Sequence, residues 1–196
     1  PNQLGGANWP GGAVDPETGI LYVGSSTMPG IIRLSADPEL SSLAYIAVGT
    51  PLFKKGPQGL PLVRPPWGRI SAINLNNGEQ EWMIANGEAH EDIRNHPALT
   101  GVKLPRTGRP ERVGLLVTKS LLFAGEGGGV FASLKSGGPM FRAHDKSSGE
   151  IISEFKLPGN QTGLPMSYAV NGRQFIVIAI GAPDHPAELV ALSLPE

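Results

Sequence analysis

The sequence predicts an all-β fold, built as a repeat of small antiparallel sheets. Its 196 residues include 27 glycines and 19 prolines, which together make up about 23% of the chain. The usual share of these two residues is roughly 12%, and here they separate short apolar runs. Residues 67–82 combine a strand-like alternation, a polar turn and a second strand. Residues 140–155 repeat this pattern when Gly78 is aligned with Gly149. Such recurrence is typical of repeat architectures.

The first unit is expected over residues 1–85. A short strand up to Asp15, a turn and an apolar strand ending at Gly24 form a hairpin, and residues 67–85 add two more strands. Residues 25–66 lie between them, rich in proline and glycine and weakly periodic. They predict a long excursion from one end of the sheet.

The second unit is expected over residues 108–158, after another excursion, and the third over residues 161–196. In the third, Asn171-Gly172 stands between two β-rich runs, which is the strongest short-range hairpin signal. Only three strands fit before the last residue. Because a propeller blade has four strands, the pattern predicts a partial propeller with two complete blades and an unfinished third. The missing strand would come from the other end of a longer chain.

Composition excludes several classes of protein. The net charge of −1 without a basic stripe argues against nucleic-acid binding, and no apolar run approaches the roughly 18 residues of a membrane span. The absence of cysteine excludes disulfides, thiolate metal sites and covalent haem attachment. The chain starts at Pro1 without a methionine or a signal peptide, so a fragment or processed product is expected.

Several segments carry a resemblance to a known family. They include Gly-Gly-Ala-Asn-Trp at 5–9, Asp-Pro-Glu-Thr-Gly-Ile-Leu-Tyr-Val at 15–23 and Thr-Gly-Leu-Pro-Met at 162–166. In this order the chain resembles the C-terminal part of quinoprotein dehydrogenases of the glucose, quinate and sugar-alcohol type. Those enzymes are eight-bladed propellers that bind pyrroloquinoline quinone (PQQ). The resemblance implies the last blades of such a propeller, in an enzyme that oxidises an alcohol, sugar or polyol.

The same resemblance implies cofactor-binding residues. Asn8 would donate a hydrogen bond towards the quinone, with Trp9 beside it, although turn and core roles are the structural alternative for these two residues. Arg112 would lie beside the carboxylates of the cofactor, whereas the neighbouring Glu111 argues against an anion there. The family's metal ligands and its aspartate base lie in earlier blades. No metal ligand and no catalytic residue is therefore predicted in this chain.

The implied cofactors are PQQ and calcium, and the implied electron acceptor is ubiquinone or a cytochrome c. The implied location is the periplasm, with the earlier N-terminal blades as partners and a membrane anchor among them as one option. A chain of these blades alone is expected to be inactive and, because its sheet edges are open, prone to aggregation. The alternative function is a non-catalytic propeller scaffold that binds other proteins in the bacterial envelope.

Two further sets of residues have structural interpretations. Trp67 and Trp82 are expected to pack within the blades, where a buried tryptophan contributes roughly 3–5 kcal/mol. The cluster of His90, Glu91, Asp92 and His96 contains metal-ligand types, but its spacing matches no ligand motif. A solvated loop is the expected interpretation.

Overall fold

The computed structural model of the chain describes residues 6–51, 55–128 and 137–194. Within these ranges the chain is built mainly of antiparallel strands, so the all-β prediction is confirmed. The strands follow one another in this order: β1 (Gly12–Asp15), β2 (Ile20–Ser26), β3 (Gly30–Ser35), β4 (Ile46–Pro51), β5 (Gly68–Asn74), β6 (Gln80–Ala85), β7 (Leu115–Val117), β8 (Leu121–Gly125), β9 (Met140–Asp145), β10 (Ile151–Lys156), β11 (Asn160–Gln161), β12 (Met166–Val170), β13 (Arg173–Ala182) and β14 (His185–Ser193).

The strands form three successive sheets. The first sheet has the order β1-β2-β5-β6 and the second the order β7-β8-β9-β10. In the third, β13 pairs with β12 and the short β11 along one edge and with β14 along the other. A propeller blade consists of four antiparallel strands in chain order, and the first two sheets have this form. In the described part of the chain the third sheet ends at β14.

The repeat seen in the sequence corresponds to one turn built three times. In each copy an Asp or Asn ends a strand, its carbonyl accepts from the N–H of a glycine four residues later at 2.7–2.9 Å, and its side chain accepts from the N–H two residues later. The glycine has a φ of +71° to +80°, which a side chain disfavours. The three pairs are Asp15 with Gly19, Asn74 with Gly78, and Asp145 with Gly149. The alignment of Gly78 with Gly149 is therefore confirmed.

The turn of the second sheet is anchored to the first sheet. The main-chain carbonyl of Lys146 accepts from the Tyr22 hydroxyl at 2.9 Å, and the Lys146 ammonium donates to Asp15 at 2.6 Å. The lysine hydrogen bond, followed by one from Thr18, lowers the pKa of Asp15 from 3.8 to about 2. Burial raises the pKa of Tyr22 to about 12. These two hydrogen bonds thus fix the position of the second sheet relative to the first.

Two apolar cores lie between the sheets. The first is formed by Tyr22, Ile70, Ala72, Val113, Leu115, Leu122 and Ala124, with Trp82 at its edge and 5.7 Å from the Tyr22 ring. The second is formed by Phe141, Leu157, Ile178 and Ile180. Ser153 lies opposite Ala143 as Trp82 lies opposite Ala72, and Phe155 packs on Phe141 at 5.5 Å in place of a tryptophan. Each sheet therefore packs on the next, as blades do.

The two excursions fold against each other, and this corrects the prediction for Trp67. Trp67 is buried with Ala89 and Ile93, away from the blade cores, and its indole N–H donates to the carbonyl of Val63 at 2.8 Å. Leu60, Val63, Leu99 and Leu104 complete this third core. The segment expected to be a solvated loop contains a short helix, α1 (Glu91–Arg94), which contributes Ile93. We call this unit the lobe.

The first excursion also contains the hairpin β3–β4, which stands apart from the three sheets. None of the helices in the described ranges has the length and apolar character that spanning a bilayer requires.

Candidate functional site

The site is positioned by glycines at the ends of strands. Gly24 lies two residues before the end of β2, and a methyl group there would overlap Val113, which lies in the segment leading into β7. Gly125 ends β8, and a methyl group there would overlap Gln161 in the segment leading into β12. The missing side chains let each connecting segment lie directly against the preceding sheet.

A pocket of about 240 Å³ opens where the first strands of the three sheets begin. All of its walls are segments that lead into these strands. They comprise Trp9 and Pro10 before β1, Arg112 and Gly114 before β7, and Gln161 at the end of β11 with Thr162, Gly163 and Leu164, which follow it and precede β12. Residues up to 155 positions apart in the sequence thus meet at this pocket, and β1 and β7 are in contact beside each other.

The structure brings two of the three predicted residues into this pocket. Trp9 and Arg112 both line it, and Asn8 lies one residue before the lining segment. The indole of Trp9 is 91% exposed, so the alternative of a core tryptophan is wrong. Asn8 lies in a turn, where its carbonyl accepts from the Gly11 N–H and its side-chain oxygen from the Trp9 N–H, each at 2.8 Å.

Glu111 is buried, and its carboxylate accepts from the main-chain N–H of Arg112 at 2.9 Å. It is not one of the residues that line the pocket. Among the described residues that line the pocket, Arg112 is the basic one. A guanidinium is suited to pairing with a carboxylate in general.

The sequence analysis missed an ion network that is centred on the buried pair Glu126 and Arg142. Glu126 and Arg142 are each 2% exposed and pair at 2.9 Å, and Arg109 approaches Glu126 at 3.3 Å. Arg142 also pairs with Glu154 at 2.9 Å, which Arg106 approaches at 3.5 Å. This network fixes the segment between the first and second sheets, and no local sequence signal marks it.

The histidines have structural roles. The ring of His90 accepts from the N–H of Asp92 and that of His96 from the N–H of Ala98, so both cap short helical turns. His144 is buried on β9 with one ring nitrogen 3.0 Å from the Gly149 carbonyl. Burial lowers the pKa of His144. Among the described residues, no group of three or more His, Asp or Glu side chains could hold a metal ion.

Comparison with known proteins identifies the family. Residues 1–176 match the profile of the family described as PQQ glucose/ethanol/alcohol dehydrogenase, beta-propeller domain. The chain belongs to this family. The resemblance and the partial-propeller prediction are thereby confirmed, and the scaffold alternative is not favoured.

Characterised relatives of this dehydrogenase family match most of the chain. The glycerol dehydrogenase large subunit of Gluconobacter thailandicus is 27% identical over 92% of the chain. Quinoprotein glucose dehydrogenase A of Acinetobacter calcoaceticus is 27% identical over 92%, and the quinate/shikimate dehydrogenase (quinone) of Acinetobacter baylyi is 28% identical over 99%. The matched part is 27%, 23% and 26% of these relatives, so the chain spans about a quarter of their length.

Solved structures show the same fold. The quinohemoprotein alcohol dehydrogenase of Comamonas testosteroni superposes with a TM-score of 0.62 at 15% identity, over 97% of this chain and 26% of that one. A europium-containing methanol dehydrogenase gives 0.58 at 20% identity, over 93% and 26%. These likenesses establish successive blades of a propeller.

The residues of the pocket fit PQQ, a planar fused-ring quinone that carries carboxylates. The Arg112 guanidinium suits a carboxylate, and the exposed Trp9 ring suits a planar face. Gly114 and Gly163 allow the backbone to approach a ligand closely. The volume of about 240 Å³ is below the roughly 300–1,000 Å³ of small-molecule pockets, as expected for one wall of a larger site.

Proposed function

We propose that this chain forms one wall of the PQQ site in a dehydrogenase that oxidises an alcohol, sugar or polyol. The observation that carries the proposal is the convergence of three blade-entry segments on one pocket, with a cation and an exposed aromatic ring in its wall. The family membership supports the same conclusion. The whole site would include walls from further blades.

Each of the three predicted residues has a distinct part in this proposal. Arg112 binds and orients a carboxylate of the cofactor, and Trp9 covers a ring face and limits access of water. Asn8 directs its amide towards the quinone, where an amide polarises a carbonyl without changing its own protonation. When bound, PQQ with calcium as a Lewis acid would supply the acceptor for the hydride of a CH–OH group.

The substrate class and the electron acceptor belong to the same proposal. The relatives named above are glycerol, glucose and quinate/shikimate dehydrogenases, which favours a polyhydroxylated substrate. One of them is named as a quinone-dependent enzyme, which favours ubiquinone, with a cytochrome c as the second candidate. The periplasmic location depends on the resemblance alone.

Binding of PQQ tests the proposal directly. PQQ and calcium are titrated into the complete protein, which contains all of its blades, while tryptophan fluorescence is followed, and Trp9→Phe identifies the contribution of the exposed indole. The same complete protein carries every variant of the PQQ-binding experiments described below. We expect Arg112→Ala to weaken PQQ binding by about 10- to 100-fold, because a hydrogen bond to a charged group contributes roughly 1.5–3 kcal/mol. Arg33→Ala, on the exposed face of β3, is the matched control and leaves binding unchanged.

Dye reduction with glycerol, glucose, quinate and ethanol then identifies the substrate. Complete wild-type protein, with all of its blades, that neither binds PQQ nor reduces the dye with any of these substrates would refute the dehydrogenase proposal. It would instead support a propeller that binds other proteins.

A further inference from the structure

The side chain of Gln161, in the pocket wall, makes three hydrogen bonds to backbone groups. Gln161 is 3% exposed. Its carbonyl oxygen accepts from the N–H of Gly125 at 2.9 Å, and its amide nitrogen donates to the carbonyls of Gly114 and Gly163, both at 2.9 Å. Both amide hydrogens are used, so one carboxamide joins three backbone segments.

These three partners belong to different parts of the site. Gly114 leads into β7, Gly163 leads into β12, and Gly125 ends β8. A methyl group on Gly114 would lie 3.0 Å from the Gln161 amide nitrogen, and one on Gly125 would lie 2.9 Å from the Gln161 Cβ. The glycines therefore leave the space that the carboxamide fills.

An apolar core packs the second sheet on the third, in addition to the hydrogen bonds of Gln161. That packing comes from the apolar core of Phe141, Leu157, Ile178 and Ile180. The hydrogen bonds of Gln161 fix the distance between two parts of the pocket wall. One part contains Gly114, two residues after Arg112, and the other contains Gly163.

We propose that Gln161 is a positioning residue of the PQQ site, acting by holding the Gly114 and Gly163 carbonyls, and through Gly114 the Arg112 guanidinium, at the separation that the cofactor needs. The inference rests on the proposed function. It assigns to Gln161 a role in the affinity and orientation of the cofactor and none in the transfer of protons.

The chemistry of the carboxamide suggests a selective test. An ionised glutamate has the same shape but donates no hydrogen bond, whereas a protonated glutamate donates one. Methionine has a similar volume and donates none. We therefore expect Gln161→Glu to weaken PQQ binding by about tenfold or more at pH 8 and to recover part of the affinity at pH 5, relative to wild type at each pH. Gln161→Met is weakened at both pH values.

The experiment measures PQQ affinity, in the presence of calcium, and the absorption spectrum of the bound quinone for wild type, both variants and a control. The control is Gln174→Glu, because Gln174 is exposed on the third sheet and donates to the Ser167 hydroxyl at 2.8 Å. It should behave as wild type. Thermal melting, followed in parallel, should show both Gln161 variants folded; if Gln161→Met does not fold, Gln161→Glu at the two pH values carries the test.

The outcomes separate the two proposals. Wild type that fails to bind PQQ refutes the proposed function and, with it, the role of Gln161. Wild type that binds, together with Gln161 variants of unchanged affinity and unchanged spectrum, refutes only the positioning role. A loss of affinity in Gln161→Glu that does not change between pH 8 and pH 5 also overturns it, since the lost donors would then not be the cause.

Discussion

Replacing the three strand-end glycines by alanine provides a graded test of how the blades pack. Gly24, Gly125 and Gly181 lie among the last three residues of β2, β8 and β13, in the first, second and third sheets, and none has a left-handed φ. Their surroundings differ. A methyl group on Gly24 overlaps the stiff, buried Val113, whereas the nearest atom to one on Gly181 is a Thr162 methyl at 3.5 Å, an ordinary contact.

The expected magnitudes follow from these distances. Overpacking a fitted site costs roughly 1–3 kcal/mol, while replacing a strand glycine by alanine otherwise contributes roughly 0.5–1 kcal/mol of stability. Gly24→Ala should therefore lower the free energy of unfolding by about 0.5–2 kcal/mol. Gly181→Ala should be neutral or stabilising. Gly125→Ala should be the most harmful, because it also displaces Gln161 from its hydrogen bond with the Gly125 N–H.

Thermal melting followed by circular dichroism measures the series at one protein concentration. For a chain of this size, 1 kcal/mol corresponds to a shift in Tm of roughly 2–4 °C, so Gly24→Ala should melt several degrees below Gly181→Ala. If Gly181→Ala melts at or below Gly24→Ala, the connecting segment does not lie against Gly24 as described, and the argument from close approach fails.

Three other predictions concern the ion network, pH and the outer face of the third sheet. Glu126→Gln should lower the free energy of unfolding by roughly 3–5 kcal/mol in urea denaturation, because it removes the buried carboxylate that pairs with Arg142 and Arg109 and leaves Arg142 with the more exposed Glu154; an effect under 1 kcal/mol would contradict this. Burial lowers the pKa of His144 below its usual 6.5, so the unfolded chain binds this proton more readily than the folded chain. The free energy of unfolding should therefore fall as pH drops below 6.5. His144→Asn should reduce this dependence of stability on pH in thermal melts taken between pH 5 and 7. The isolated chain should self-associate through the apolar face of the third sheet that carries Tyr168 and Leu189; the Leu189 side chain is 73% exposed. Leu189→Lys should reduce this association in sedimentation velocity. A wild-type chain that stays monodisperse would refute the prediction.

The sequence was informative where the structure depends on neighbouring residues. The turn from Asn74 to Gly78 and its copy from Asp145 to Gly149 require only an acceptor side chain and a glycine at fixed spacing, and both are visible in the sequence. The Asn171-Gly172 turn is similar: φ values of 52° and 77° match a two-residue hairpin loop.

The sequence was less informative where partners come from distant segments. Trp67 was assigned to a blade because its flanking residues form a strand, yet its partners Ala89 and Ile93 belong to another excursion. The role of Gln161 depends on glycines at three separate places. The sequence does not predict this role, since no local pattern shows which backbone groups meet a carboxamide.

The ion network was missed for a related reason. Charged side chains are normally expected at the surface, and a buried Glu126 becomes acceptable only when Arg142 and Arg109 reach it from other segments. Neither partner is close to Glu126 in the sequence.

The lobe around Trp67 joins the two excursions, which are insertions that leave the blades at different points of the chain. Lengthening or shortening one of them alone would expose the shared core to water. Variation in this region must therefore involve both insertions together, and a transplant into another propeller would have to carry the two segments as a pair.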